Sequence, residues 1–141
     1  MFGTIVVGVD GSKAAGRAVE AVARIAGDTK DQVVVCHGVV VTHAWGENFP
    51  AEATDETQQL VERHVAQLTA AGVPATGEVH QVPEKGIGDA LIKVAKSHQA
   101  GLIVLGTRGR SNVKSVLLGS TAHEVVCKST RPVHVVPDKT G

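Results

Sequence analysis

The sequence predicts a doubly wound, Rossmann-like α/β fold, a parallel sheet with helices packed on both faces. Three observations carry that expectation. Short β-branched runs alternate along the chain with stretches whose apolar residues recur at helical spacing. The runs read as continuously apolar rather than alternating, as expected for strands buried on both faces. The chain has 141 residues, the size of one ordinary domain, which can bury roughly 70% of its unfolded surface without a disulfide or metal.

The elements follow in order. Thr4 to Val9 is the first strand, and Ser12 is placed to cap the helix after it. Ala15, Val19, Val22 and Ala26 form the apolar stripe of that helix, with Gly27 as its expected stop. Gln32 to Val41 is a second strand, and the polar stretch from Thr42 to about Asp55, with Pro50 inside it, reads as a long loop. Val61, Val65 and Leu68 mark a second helix that ends at Gly72-Val73-Pro74, and Ala75 to Val82 is a third, more polar strand. Ile87, Leu91, Val94 and Ala95 recur after Gly86 as a third helix, followed by the strand Leu102 to Leu105. Gly106 to Gly119 is a loop with room for a helical turn; a helix from about Ser120 buries Ala122, Val125 and Val126. Pro132 to Pro137 is the last strand. The order β-α-β-α-β-α-β-α-β points to one domain over residues 1–141.

Composition narrows the function classes. Apolar residues make up 43% of the chain, with two Phe, one Trp and no Tyr, so the core is expected from Val, Ile, Leu and Ala. Fourteen basic residues balance fourteen acidic ones. No global field draws the chain to nucleic acid or membrane, and any anion must be held locally. Cys36 and Cys127 form no CxxC pair; both sit in apolar stretches, where cysteine acts as a small hydrophobe. No secretory n-region and h-region opens the chain and no 18-residue apolar run occurs, so a cytoplasmic location is expected.

In open parallel sheets, ligands bind at the carboxyl ends of the strands where strand order reverses. That directs attention to Val9-Asp10-Gly11-Ser12, to the end of the second strand, and above all to the loop after the fourth. The loop reads Gly106-Thr107-Arg108-Gly109, nine residues, then Gly119-Ser120-Thr121. Glycines let backbone N–H groups approach phosphate oxygens. Gly119 to Thr121 also opens a helix, whose N-terminal N–H groups form an anion site. Arg108, Arg110 and Lys114 add charge to the loop. An ordinary loop leading into a capped helix fits the glycines equally well. The Walker motif, GxGxxG, HxGH and SGGxDS are all missing from the sequence.

With these residues in place, the chain resembles the ATP-binding branch of the universal stress protein family. Gly106-x2-Gly109-x9-Gly119-Ser120 fits that branch's glycine pattern, Ile5 to Ser12 looks like its opening strand and turn, and Pro132 to Val136 like its closing strand. The resemblance implies a five-stranded sheet of order 3-2-1-4-5 and a bound ATP, with AMP or ADP as other resting ligands. It implies that Gly8, Val9 and Asp10 contact the adenosine, that Gly38 meets the adenine edge, and that Leu105 and Gly106 flank the nucleotide. Gly109, Gly119, Ser120 and Thr121 would hold the triphosphate, with Mg2+ or Mn2+ bound through the nucleotide, and Arg108 is a further candidate by its charge in the same loop. It implies a homodimer through Val133, His134, Val135 and Val136, and a stress-response regulatory role. Three positions depart from the family pattern: Gly38 replaces a usual Val, Ala100-Gly101 stands where a carboxylate often precedes the fourth strand, and His134 replaces an aliphatic residue.

Individual residues admit plainer roles. Asp10 can form an Asx turn with Gly11 instead of touching a ligand. His37 reads as a satisfied core histidine, and His98 falls in line with Leu91 and Val94 as packing. The histidines share no HxxxH or HxH spacing for zinc. Asp10 and Glu124 are the carboxylates expected near the loop, and neither has an evident partner for general-base work. Three functions remain in view: an ATP-binding regulatory module, a slow ATPase or phosphoryl-transfer enzyme, and a nucleotide-independent interaction or chaperone-like protein.

Overall fold

The computed structural model describes residues 1–107 and 118–138. Its elements are β1 (Thr4–Gly8), α1 (Lys13–Thr29), β2 (Gln32–Ala44), β3 (Glu47–Pro50), α2 (Thr54–Ala70), β4 (Ala75–Val82), α3 (Ile87–Ser97), β5 (Leu102–Gly106), α4 (Ser120–Lys128) and β6 (Val133–Val136). Five strands are parallel, through the pairings β4–β2, β2–β1, β1–β5 and β5–β6. Counted without β3, this is the expected order 3-2-1-4-5. The expected five strands become six because β3 pairs antiparallel with the end of β2.

Alternation along the central strands divides the core into two layers. Ile5 and Val7 of β1, Val33 and Val35 of β2, and Val104 of β5 pack with Ala18, Val19 and Val22 of α1 and Val61 and Leu68 of α2. Val6, Val34 and Ile103 point the other way, against Leu91, Val94 and Ala95 of α3 and Ala122 and Val125 of α4. A parallel strand covered on both faces needs apolar residues at every position, which explains the unbroken runs.

Several local expectations are corrected. The stretch read as a loop from Thr42 to Asp55 is largely a hairpin: β2 continues to Ala44, and Trp45-Gly46 turns the chain into β3. Trp45 (φ 49°) and Gly46 (φ 76°) are both left-handed, as a two-residue I′ hairpin requires. Gly27 does not stop α1. The helix runs to Thr29 and ends at Lys30, which is left-handed at φ 63° and donates its N–H to the Ala26 carbonyl. Val126 and Cys127 face solvent on α4 rather than the core. His98 is no packing residue: it sits past the end of α3, half exposed, against the Glu78 carboxylate. That carboxylate also accepts from His80.

The sheet order places the site. From β1 the chain crosses to β2 on one side, and β5 flanks β1 on the other, so the carboxyl ends of β1, β2 and β5 border the switch point.

Candidate functional site

A cleft of about 400 Å³ opens at that switch point. Gly8, Val9 and Asp10 line it from the end of β1, Gly38 from β2, Leu105 and Gly106 from β5, and Gly119, Ser120 and Thr121 from the start of α4. Nine residues singled out from the sequence therefore meet in one cavity; Arg108 and Gly109 lie outside the described residues. Ile87 and Leu91 of α3 supply apolar wall beside them.

The turn after β1 is fixed by its own side chains. Asp10 Oδ1 accepts the Ser12 N–H at 2.9 Å, and Ser12 Oγ accepts the Ala15 N–H at 3.1 Å, capping α1. The Asx turn and exposure to the cleft thus coexist in Asp10. On the opposite side, the Thr107 N–H reaches the Val136 carbonyl at 2.9 Å, and the Gly119 N–H reaches the Thr107 carbonyl at 2.6 Å. These bonds fasten the N-terminus of α4 to the end of β5. Gly119 is the N-cap of α4 and has no capping side chain, so the first-turn N–H groups face the cleft with no partner inside the helix.

The two key glycines have different reasons to be glycine. A Cβ on Gly106 would lie 2.6 Å from Ala14 Cβ and 2.8 Å from the Ala14 carbonyl carbon, so close packing of α1 on β5 demands glycine there. Gly119 has φ −62° and ψ 160°, extended backbone open to any residue. Nothing in its conformation calls for glycine.

Among the described residues lining the cleft, the ionisable side-chain types are Asp10, Cys36, His37 and Glu52, and no Lys or Arg is present. Burial, reinforced by the charge of Glu78, pushes the Cys36 thiol up to about 12, so it is a neutral wall residue. His37 is buried and satisfied as expected, but it also borders the cleft. Its Nδ1 lies 2.6 Å from the Val9 carbonyl and its Nε2 2.9 Å from Glu52 Oε2. Glu52 was hidden within the stretch read as a loop. Glu124, expected beside the glycine loop, does not line the cleft; it packs on Gly88 and accepts from Lys128 at 3.4 Å. Among the described residues, no three His, Cys, Asp or Glu side chains gather as a metal site. A second cavity, about 540 Å³ between α2 and Gly77 near the amino end of β4, is an open apolar groove that shares no residue with the cleft.

The model of the universal stress protein family matches residues 1–137. The chain belongs to the universal stress protein family. A universal stress protein from Thermus aquaticus, encoded in the 3′ region of a QAH/OAS sulfhydrylase, is 34% identical over 96% of this chain and 99% of its own length. The solved structure of MJ0577 superposes with a TM-score of 0.83 at 22% identity, covering 100% of this chain and 99% of that one. A universal stress protein from Archaeoglobus fulgidus, solved in complex with dAMP, superposes with a TM-score of 0.73 at 22% identity, covering 94% and 96%. These structural likenesses carry the fold. Among the described residues, no helix is long and apolar enough to cross a membrane.

Proposed function

We propose that this universal stress protein is an ATP-binding regulatory module of the stress response. One observation carries the reading: the uncapped N-terminus of α4 at Gly119 shares a cleft with the Val9-Asp10 turn and the Gly38 backbone. Helix N-termini favour phosphate, and the volume lies within the ~300–1,000 Å³ usual for small-molecule sites. In this reading Gly8, Val9 and Asp10 meet the adenosine, Gly38 the adenine edge, and Leu105 and Gly106 flank the nucleotide. Gly119, Ser120 and Thr121, with Arg108 and Gly109, hold the phosphates, whose charge Mg2+ or Mn2+ bound through the nucleotide would share. The solved relative with dAMP is consistent with an adenine nucleotide.

Binding rather than hydrolysis is favoured by the carboxylates. Asp10 is engaged by the Ser12 amide and Glu52 by His37, so neither stands as a base poised over the α4 N-terminus. The module works as a homodimer through β6, an edge strand paired only with β5 among the described residues, on which His134 is exposed. Sedimentation at pH 5.5 and 7.5 checks that assignment; a monomer at both values rejects it.

The nucleotide test is calorimetric titration of ATP with Mg2+, together with chromatography of nucleotide released on denaturation. The expected Kd is ~1 μM, about −8 kcal/mol. Gly119→Ala is expected to weaken ATP at least tenfold with unchanged unfolding, because the new Cβ enters the phosphate site. Equal affinity in both proteins would reject the phosphate assignment, and AMP or ADP as the sole released or bound nucleotide would reject ATP as the ligand.

A further inference from the structure

The two flanks of α4 differ. On one it meets α3: Glu124 packs on Gly88, and Lys128 pairs with Asp89 at 3.5 Å and with Glu124 at 3.4 Å. Ala122 and Val125 point into the sheet layer, in the apolar cluster that holds Leu105 of β5 and is joined by Val133 and Val135 of β6. At about 100° per residue, the flank turned away from α3 carries His123, Val126 and Cys127. All three are exposed. That flank overlooks β6, the edge strand beneath α4.

His123 and Cys127 stand one helical turn apart, with Nε2 3.7 Å from Sγ. This spacing matches one edge of a tetrahedral zinc site. Bonds of about 2.3 Å to sulfur and 2.0–2.1 Å to nitrogen, at the tetrahedral angle, put the two donor atoms about 3.6 Å apart. One chain supplies two ligands, which is half of a closed site. We propose that His123 and Cys127 bind a zinc-class cation together with the same two residues of a second copy, as a Cys2His2 site across the dyad of the homodimer. The proposal rests on the β6 dimer above and is independent of the nucleotide reading.

The geometry of such a dimer brings the two pairs together. Antiparallel pairing of two β6 strands sets the dyad perpendicular to the joined sheet, so both copies of α4 lie on the same face. With strands about 4.8 Å apart, helices seated over the β5–β6 groove stand about 10 Å from each other, a packing distance. Their levels also agree. The Gly119 N–H is bonded to the Thr107 carbonyl, so α4 starts just past the end of β5. Descending about 1.5 Å per residue, it reaches His123 and Cys127 roughly 6 and 12 Å lower. The four residues of β6, with Val136 level with Gly106, span the same depth. The dyad at the middle of β6 then sets His123 of one copy beside Cys127 of the other. Val126, 47% exposed on the same flank, gains cover there. Each thiol gives up its proton to solvent on binding, each imidazole binds neutral, and two thiolates balance the charge of one divalent ion.

The test titrates Zn2+ or Co2+ into chelator-treated, dialysed protein with no added nucleotide. Sedimentation reads the oligomer and absorption reads the cobalt. Wild type should bind one Co2+ per two chains, with a thiolate-to-cobalt charge-transfer band, and Zn2+ should tighten the dimer on the order of tenfold or more. His123→Ala and Cys127→Ala, both at exposed positions, should keep their circular dichroism and lose the tightening. Cys127→His should still be tightened by zinc but lack the charge-transfer band. One metal per monomeric chain, or equal tightening of Cys127→Ala, would overturn the shared site. A dimer that takes up no metal would overturn the site while leaving the dimer intact. A monomer at every zinc concentration would overturn both.

Discussion

Replacing Gly106 with alanine should destabilise the fold through the contact of β5 with α1, whatever the cleft binds. The added Cβ would sit 2.6 Å from Ala14 Cβ, 2.8 Å from the Ala14 carbonyl carbon and 3.0 Å from its oxygen. Comfortable carbon contacts lie at about 3.5–4.0 Å, so the first turn of α1 must retreat by roughly 1 Å from the strand. Two of the three atoms are backbone, and no rotamer change relieves them. That turn is also held by the Ser12 cap and the Asp10 turn. Overpacking of this kind costs about 1–3 kcal/mol, or about 3–5 °C in Tm per kcal/mol at this chain length. Gly8→Ala is the control, because its Cβ would meet only the tips of Leu91, at 2.9 and 3.1 Å. A leucine end can rotate away, so the cost there should be under half as large. Urea denaturation followed by circular dichroism measures both. Gly106→Ala within about 0.5 kcal/mol of wild type, or less costly than Gly8→Ala, would refute the reasoning.

Three further outcomes are expected. Burial by itself would raise the pKa of Asp31, but hydrogen bonds from Thr29, the amino terminus, Phe2 and Gly3 outweigh it and hold the carboxyl well below its usual range. A depressed folded pKa gives stability that is full above about pH 4 and is lost as pH falls towards the folded value. Asp31→Asn should therefore cost about 1–3 kcal/mol at pH 7 and progressively less below pH 4; a gap that stays constant from pH 7 to pH 2 contradicts this. Burial lowers the pKa of His64, whose Nδ1 is buried with no hydrogen-bond partner among the described residues. The unfolded chain then binds the extra proton as pH drops below about 6.5, so stability falls in that direction, and His64→Leu should flatten the fall between pH 7.5 and 5; an unchanged slope contradicts it. A thiol reagent at pH 8 should label Cys127 in the native protein and reach Cys36 only on unfolding, because Cys36 is buried with its pKa raised to about 12. Rapid native labelling of both refutes that assignment.

The alternation of elements was legible because a doubly covered parallel sheet leaves a plain imprint: every residue of Ile5 to Val7 and of Leu102 to Leu105 is buried. The Ser12 cap was equally plain, since a side-chain acceptor before a periodic stretch has few other uses. The hairpin was not. Its turn uses Trp45 where Asn or Asp usually accepts a positive φ, and nothing in a polar stretch with an internal proline announces an edge strand. Gly27 misled because glycine is tolerated inside a helix whose packing is supplied by Ala18, Val22 and Ala26. Val126 and Cys127 misled because a helix as short as α4 turns only a narrow stripe inward, here Ala122 and Val125. In the cleft, the residues drawn together by the strand-end rule were found, whereas Glu52 was not. Its place depends on the hairpin bringing the β3–α2 connection back to His37, a long-range consequence that local periodicity does not encode. Gly106 was found for an incomplete reason: phosphate approach was the motive read from the sequence, and close packing against Ala14 is an independent one.

The most direct test of the central claim is an amide NMR titration of the isotope-labelled protein with ATP and Mg2+. Shifts are expected to concentrate on Val9, Asp10, Gly38 and Gly106 and on Gly119 to Thr121, the residues that meet in the cleft. No shifts at millimolar ATP, or shifts confined to the groove between α2 and Gly77, would contradict the account.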